Sequence, residues 1–144
     1  MSHLFLMRLV CTAAVIMLLG SVGIARADRF DDDLLALINR YRSTKGLKAL
    51  ASSPLYNDLA REHSRAMQEQ DRMSHDGFEG RFDRAAAAGA RSCVENVAWN
   101  HLTPQSLFDG WRRSPGHNRN MLEKKINRAG ISKAGPYVTF FACY

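Results

Sequence analysis

Three residues in this chain have side chains suited to acid–base or metal chemistry and stand in segments that could bring them together: His75, Glu95 and His117. Glu95 sits in Cys93-Val94-Glu95-Asn96-Val97-Ala98-Trp99, which reads as a short buried strand. Val94, Val97 and Trp99 favour extended backbone, and Gly89, Asn100 and Pro104 bound the run. A carboxylate in such a strand is costly to bury without a partner. Ser74-His75-Asp76-Gly77 and Ser114-Pro115-Gly116-His117 each present a histidine in a turn-rich segment. The expectation is that His75 and His117 meet Glu95 in one cleft. Two imidazoles and a carboxylate can hold Zn²⁺ or another divalent ion with open positions, and the metal ligands would be His75 and His117. Glu95 would then be the catalytic base toward a metal-bound water. Tight catalytic zinc usually has three protein ligands, however, and there is no His-Glu-x-x-His. The metal-free alternative is a hydrogen-bonded His–Glu–His cluster that ties three segments together. Asn96 reads as a backbone-bonding structural residue. His63 lies on the apolar face of a helix and reads as a satisfied core histidine. No Gly-x-Ser-x-Gly elbow is present to support a serine hydrolase.

These residues need a scaffold, and the first 27 residues do not belong to it. Arg8, the apolar run Leu9 to Leu19 and Ala25-Arg26-Ala27 have the form of a signal peptide cleaved after Ala27. Leu9 to Ile24 is short for a membrane span and holds two glycines. A lipoprotein reading through Cys11 fails because Val10 is large and Cys11 would cut the apolar run. Residues 28–144 then form one domain of ordinary size, with no linker or repeat. Arg8 and Arg26 leave with the leader, so the formal charge falls by two from +6 to +4. The basic residues are scattered along the chain, which leaves peripheral membrane contact open and gives no base-reading motif for nucleic acid. Cys11 also leaves. Cys93 and Cys143 remain, and an even count in an oxidising compartment suggests one disulfide, two buried thiols being the other reading.

Helices dominate the front of the chain and strands its end. Asp31 to Ser43 reads as an amphipathic helix through Leu34, Leu35, Ile38 and Tyr41 or Arg42, stopped by Gly46. Ser52-Ser53-Pro54 starts a second helix expected to reach about Met73. A short helix over roughly Arg81 to Ala88 ends at Gly89. Thr103-Pro104 opens another, with Leu107, Phe108 and Trp111 inward, and Pro115 ends it. A turn or short helix follows from Gly116. Two strands close the chain, about Asn127 to Ser132 and Tyr137 to Cys143, joined at Ala134-Gly135-Pro136. The set implies an α+β domain whose small sheet is covered by helices.

The ordered segments resemble the CAP superfamily of cysteine-rich secretory, antigen 5 and pathogenesis-related 1 proteins, and most closely its bacterial SCP-like extracellular branch. The matching pieces are Ile38-Asn39-Arg40-Tyr41-Arg42 with Gly46-Leu47, Leu59-Ala60-Arg61-Glu62-His63-Ser64, Ser74-His75-Asp76-Gly77-Phe78, Glu95-Asn96-Val97-Ala98-Trp99, and Trp111-Arg112-Arg113-Ser114-Pro115-Gly116-His117 with Asn120-Met121-Leu122. The resemblance implies an α-β-α sandwich with a small, mainly antiparallel sheet and an open cleft. It puts the family's two cleft histidines on His75 and His117 and its first cleft glutamate on Glu95. Its second glutamate falls on Ser114, so the acidic pair is incomplete. It also implies a Cys93–Cys143 bond. The functional expectation is a secreted or periplasmic, monomeric binding or interaction module for a lipid, sterol, peptide or envelope polymer. A metal-assisted hydrolase using Glu95 is the alternative.

Overall fold

A computed structural model of the chain describes residues 21–144, with side chains from Arg29 onward. The apolar run expected to be a leader lies outside the described residues, and the side chains about the cleavage site at Ala27 do too. Five helices and four strands follow one another as α1 (Ser21–Thr44), β1 (Ala51–Ser52), α2 (Pro54–Glu69), α3 (Phe78–Ala87), β2 (Cys93–Trp99), α4 (Pro104–Arg113), α5 (Pro115–Met121), β3 (Arg128–Ala134) and β4 (Tyr137–Cys143). The sheet runs β1-β3-β4-β2, with β1 parallel to β3 and the other pairs antiparallel. β4 is central and buried along its whole length, as its lack of polar alternation requires. Helices α1 and α4 pack together on one side of the sheet, and α2 lies against β3 and β4 on the other. This is the α-β-α sandwich.

Several element ends differ from the sequence expectation. Helix α1 begins by Ser21, because nothing between there and Asp31 breaks a helix as proline would. Helix α2 stops at Glu69 rather than near Met73. Asp71 takes a left-handed φ of 45°, and Arg72 N–H turns back to the Met67 carbonyl. The same closure ends α1 at Gly46 and α3 at Gly89, where glycine announces it; at Asp71 no glycine does. Helix α3 starts at Phe78, just after Gly77 at φ 72°. The two-residue strand β1 has no sequence signal of its own. Trp99, read as part of a buried strand, is 53% exposed at the end of β2.

Two contacts fix the layers. Gly130 of β3 lies so close to α2 that a Cβ there would sit 2.0 Å from the Tyr56 carbonyl carbon. On the other side Arg42, fully buried, continues the stripe of Phe30, Leu34 and Ile38. Its guanidinium donates to the carbonyls of Lys48, Met121, Glu123 and Ile126 at 2.8–3.4 Å, pinning the segment after α5 to α1. Cys93 and Cys143 face each other across β2 and β4 and are bonded.

Candidate functional site

Strand alternation decides which neighbours Glu95 and Asn96 meet. Glu95 and Val97 point to the α2 layer, where His63 and Met67 stand. Asn96 points the other way, donating to the His117 carbonyl at 3.0 Å and accepting from Asn120 at 2.9 Å. Asn120 also donates to the Glu95 carbonyl, and the Trp111 indole N–H donates to the Val97 carbonyl at 3.3 Å. β2 is an edge strand, and these side chains from α4 and α5 cover its outward carbonyls. Asn96 thus has the structural role expected of it.

The buried Glu95 carboxylate is met from three segments. Arg81, on α3 and 8% exposed, grips both oxygens: Nε to Oε2 at 2.7 Å and Nη2 to Oε1 at 2.9 Å. Its third nitrogen donates to the Asp76 carbonyl at 2.9 Å, holding the loop that carries His75. His75 Nδ1 lies 2.9 Å from Glu95 Oε1. The carboxylate accepts, so this nitrogen bears the proton and Nε2 is turned outward on a ring that is 55% exposed. His63 Nε2 stands 3.8 Å from Glu95 Oε1, but its hydrogen goes to the Ser74 carbonyl at 2.8 Å. His63 is therefore a buried tie between α2 and the His75 loop. Burial, and secondly the Arg81 charge, push its pKa below the usual imidazole value despite Glu95.

His117 is half-buried on α5, its ring tilted against Trp111 at a centroid distance of 6.2 Å. Burial, then the nearby His75, lowers its pKa. The two rings are thus close enough to feel each other's charge. Among the described residues His117 makes no hydrogen bond or ion pair to Glu95; its link runs through Asn96 and Asn120. Ser114, at the family's second glutamate position, forms the junction between α4 and α5.

The donor set fits a resident divalent ion poorly. Both Glu95 oxygens are engaged by a guanidinium, which repels a cation, and two imidazoles alone fall short of the three protein ligands of catalytic zinc. Among the described residues no group of three or more His, Cys, Asp or Glu side chains is arranged to hold a metal ion. Sequence reasoning missed Arg81. The signal was available: a carboxylate buried in an apolar strand calls for a cation, and Arg81 falls one turn into the helix after the His75 loop.

A family model described as "CAP: Cysteine-rich secretory protein family" matches residues 35–144. The curated protein YkwD of Bacillus subtilis (strain 168), itself uncharacterized, is 26% identical over 106 residues, covering 71% of this chain and 41% of its own length. The chain therefore spans well under half of that relative. An extracellular protein containing a SCP domain from Bacillus anthracis shares the fold with a TM-score of 0.80 at 24% identity, over 88% of this chain and 44% of its own. A cysteine-rich secretory protein from Staphylococcus aureus superposes with a TM-score of 0.76 at 18% identity, over 83% and 40% of the two chains. An outer surface protein from Borrelia burgdorferi gives 0.69 at 15% identity, over 78% of this chain and 90% of that one.

Proposed function

Because the chain belongs to the cysteine-rich secretory protein, or CAP, family, we propose that it is an exported binding module. The region of His75 and His117, beside the Glu95–Arg81 pair, takes the polar group of a lipid, sterol or other envelope ligand. The observation that supports this most is the double contact between Arg81 and Glu95. Both oxygens of that carboxylate are already taken by a guanidinium and an imidazole, so it serves as a fixed anchor rather than a base. The outward Nε2 of His75 and the partly buried ring of His117 remain to hydrogen-bond a ligand. Export is supported by the leader-like first 27 residues and by relatives described as extracellular, secretory or outer-surface proteins. The test is native mass spectrometry of the protein recovered from its own compartment. The reading expects a chain beginning at Asp28, one disulfide, and a bound organic ligand that is lost in His75→Ala. A full-length chain with no carried ligand would overturn it.

One observation favours an enzymatic reading with altered roles. A carboxylate on Nδ1 of an outward-facing imidazole is the pairing that orients a general base. In that reading His75, not Glu95, takes the proton. Turnover of an ester or peptide substrate that vanishes in His75→Ala and falls in Glu95→Gln would establish it over the binding reading.

A further inference from the structure

The basic residues, scattered in sequence, gather in the fold. From Arg113 to the last residue the chain carries Arg113, Arg119, Lys124, Lys125, Arg128 and Lys133 against one acid, Glu123. Glu123 accepts from the Lys125 backbone N–H at 3.1 Å, so one acid stands among these cations and they remain in excess. The backbone brings several of these to one end of the sheet. Tyr144 is the hub. Arg91 N–H donates to its carbonyl at 2.7 Å on the β2 side. On the other side Arg128 pairs in register with Cys143. Two strand spacings put the Arg91 and Arg128 backbones roughly 10 Å apart. Lys125 Nζ lies 5.4 Å above the Tyr144 ring. Lys48 is held near the same end because Arg42 binds its carbonyl together with those of Met121, Glu123 and Ile126. Lys48, Arg91, Lys124, Lys125 and Arg128 are all exposed, and among the described residues none of them forms a salt bridge.

We infer that this end of the sheet is a docking surface for a linear polyanion built of repeating phosphate groups. An excess of exposed cations at one end of the fold raises the local potential and attracts anions. Their spread over several segments suits a chain with repeated charges better than one small anion. A membrane surface fits less well, because the exposed large apolar side chains Met73, Trp99 and Leu102 lie elsewhere; Trp99 pairs with Tyr137, at the opposite end of the strands from Cys143. The surface is separate from the Glu95 site and does not depend on its proposed role.

The experiment measures binding of long-chain polyphosphate to the folded protein at several salt concentrations. Compared are wild type, Lys125→Gln/Arg128→Gln, and a control, Arg40→Gln/Arg65→Gln, that removes exposed cations from α1 and α2. The inference expects wild-type affinity to fall steeply with salt, and the first pair to weaken binding roughly tenfold and lower the log–log salt slope by about two, one counterion for each lost phosphate contact. It expects the control and His75→Ala to bind like wild type. Equal loss in the control pair, salt-insensitive binding, or binding only to vesicles of equal parts phosphatidylglycerol and phosphatidylcholine would overturn it.

Discussion

Arg81 and Glu95 are joined at two points, Nε to Oε2 at 2.7 Å and Nη2 to Oε1 at 2.9 Å, with both side chains nearly sealed from solvent. The contact links α3 to the edge strand and places a charged pair beside His75. A buried ion pair of this kind is costly to assemble, but breaking it from one side is costlier still.

Arg81→Gln should therefore lower stability by about 3–5 kcal/mol, since it leaves Glu95 buried without its guanidinium partner. Arg81→Met combined with Glu95→Gln should recover most of that loss, because both charges then leave together. Urea unfolding of the two variants and wild type measures the difference. Equal destabilisation in the single and double variants would mean that the pair's packing matters and its charges do not.

The histidines set a pH dependence. The folded-state pKa of His63 lies below its ordinary value, chiefly through burial, and that of His117 does too. The unfolded chain therefore takes up protons first, so stability is complete above about pH 6.5 and declines as pH falls through that value toward the lower folded values. Urea midpoints at pH 7.5 and pH 5.5 should show the drop, and His63→Gln should show a smaller one. A midpoint that rises on acidification would reverse the sign of the account.

The Cys93–Cys143 bond closes a loop with a sequence separation of 50. Loss of such a cross-link is worth roughly 3–4 kcal/mol in the chain-entropy model. Cys93→Ala/Cys143→Ala should melt well below wild type by calorimetry, and reductant should lower the wild type's melting temperature but not the variant's.

Gly130 is where the sheet meets α2. A methyl group 2.0 Å from the Tyr56 backbone cannot be absorbed by a side-chain rotation. Gly130→Ala should cost about 3 kcal/mol or more and lower the soluble yield. A melting temperature within a degree of wild type would show that the two layers can separate without penalty.

Much of this was legible in the residues. Ser53-Pro54 and Thr103-Pro104 announced α2 and α4, and both caps are made by the expected side chains. β2 and β4 occupy the expected residues because apolar, β-branched and aromatic runs leave little alternative. The cost of burying a carboxylate called for a partner to Glu95, but the same argument put His117 beside it, where Arg81 stands with His75. What escaped had no local signature. Asp71 ends α2 in a left-handed conformation that glycine would have advertised. Arg81 looks like a surface cation, and the stripe of the first helix left Tyr41 or Arg42 open; tertiary packing buries both arginines, and Arg42 is satisfied almost wholly by distant carbonyls. The gathering of Arg91, Lys125 and Arg128 around Tyr144 arises from strand order, which periodicity does not encode.

The central claim is that Glu95 belongs to Arg81 and His75 and is not free for a metal or a water. Long-range ¹H–¹⁵N spectra of the histidine rings, recorded before and after one equivalent of Zn²⁺, test it most directly. The account predicts the Nδ1–H tautomer of the His75 ring, that preference lost in Glu95→Gln, and no stoichiometric change on adding zinc. Joint shifts of His75 and His117 at one equivalent of zinc, or an Nε2-protonated His75 in the wild type, would contradict it.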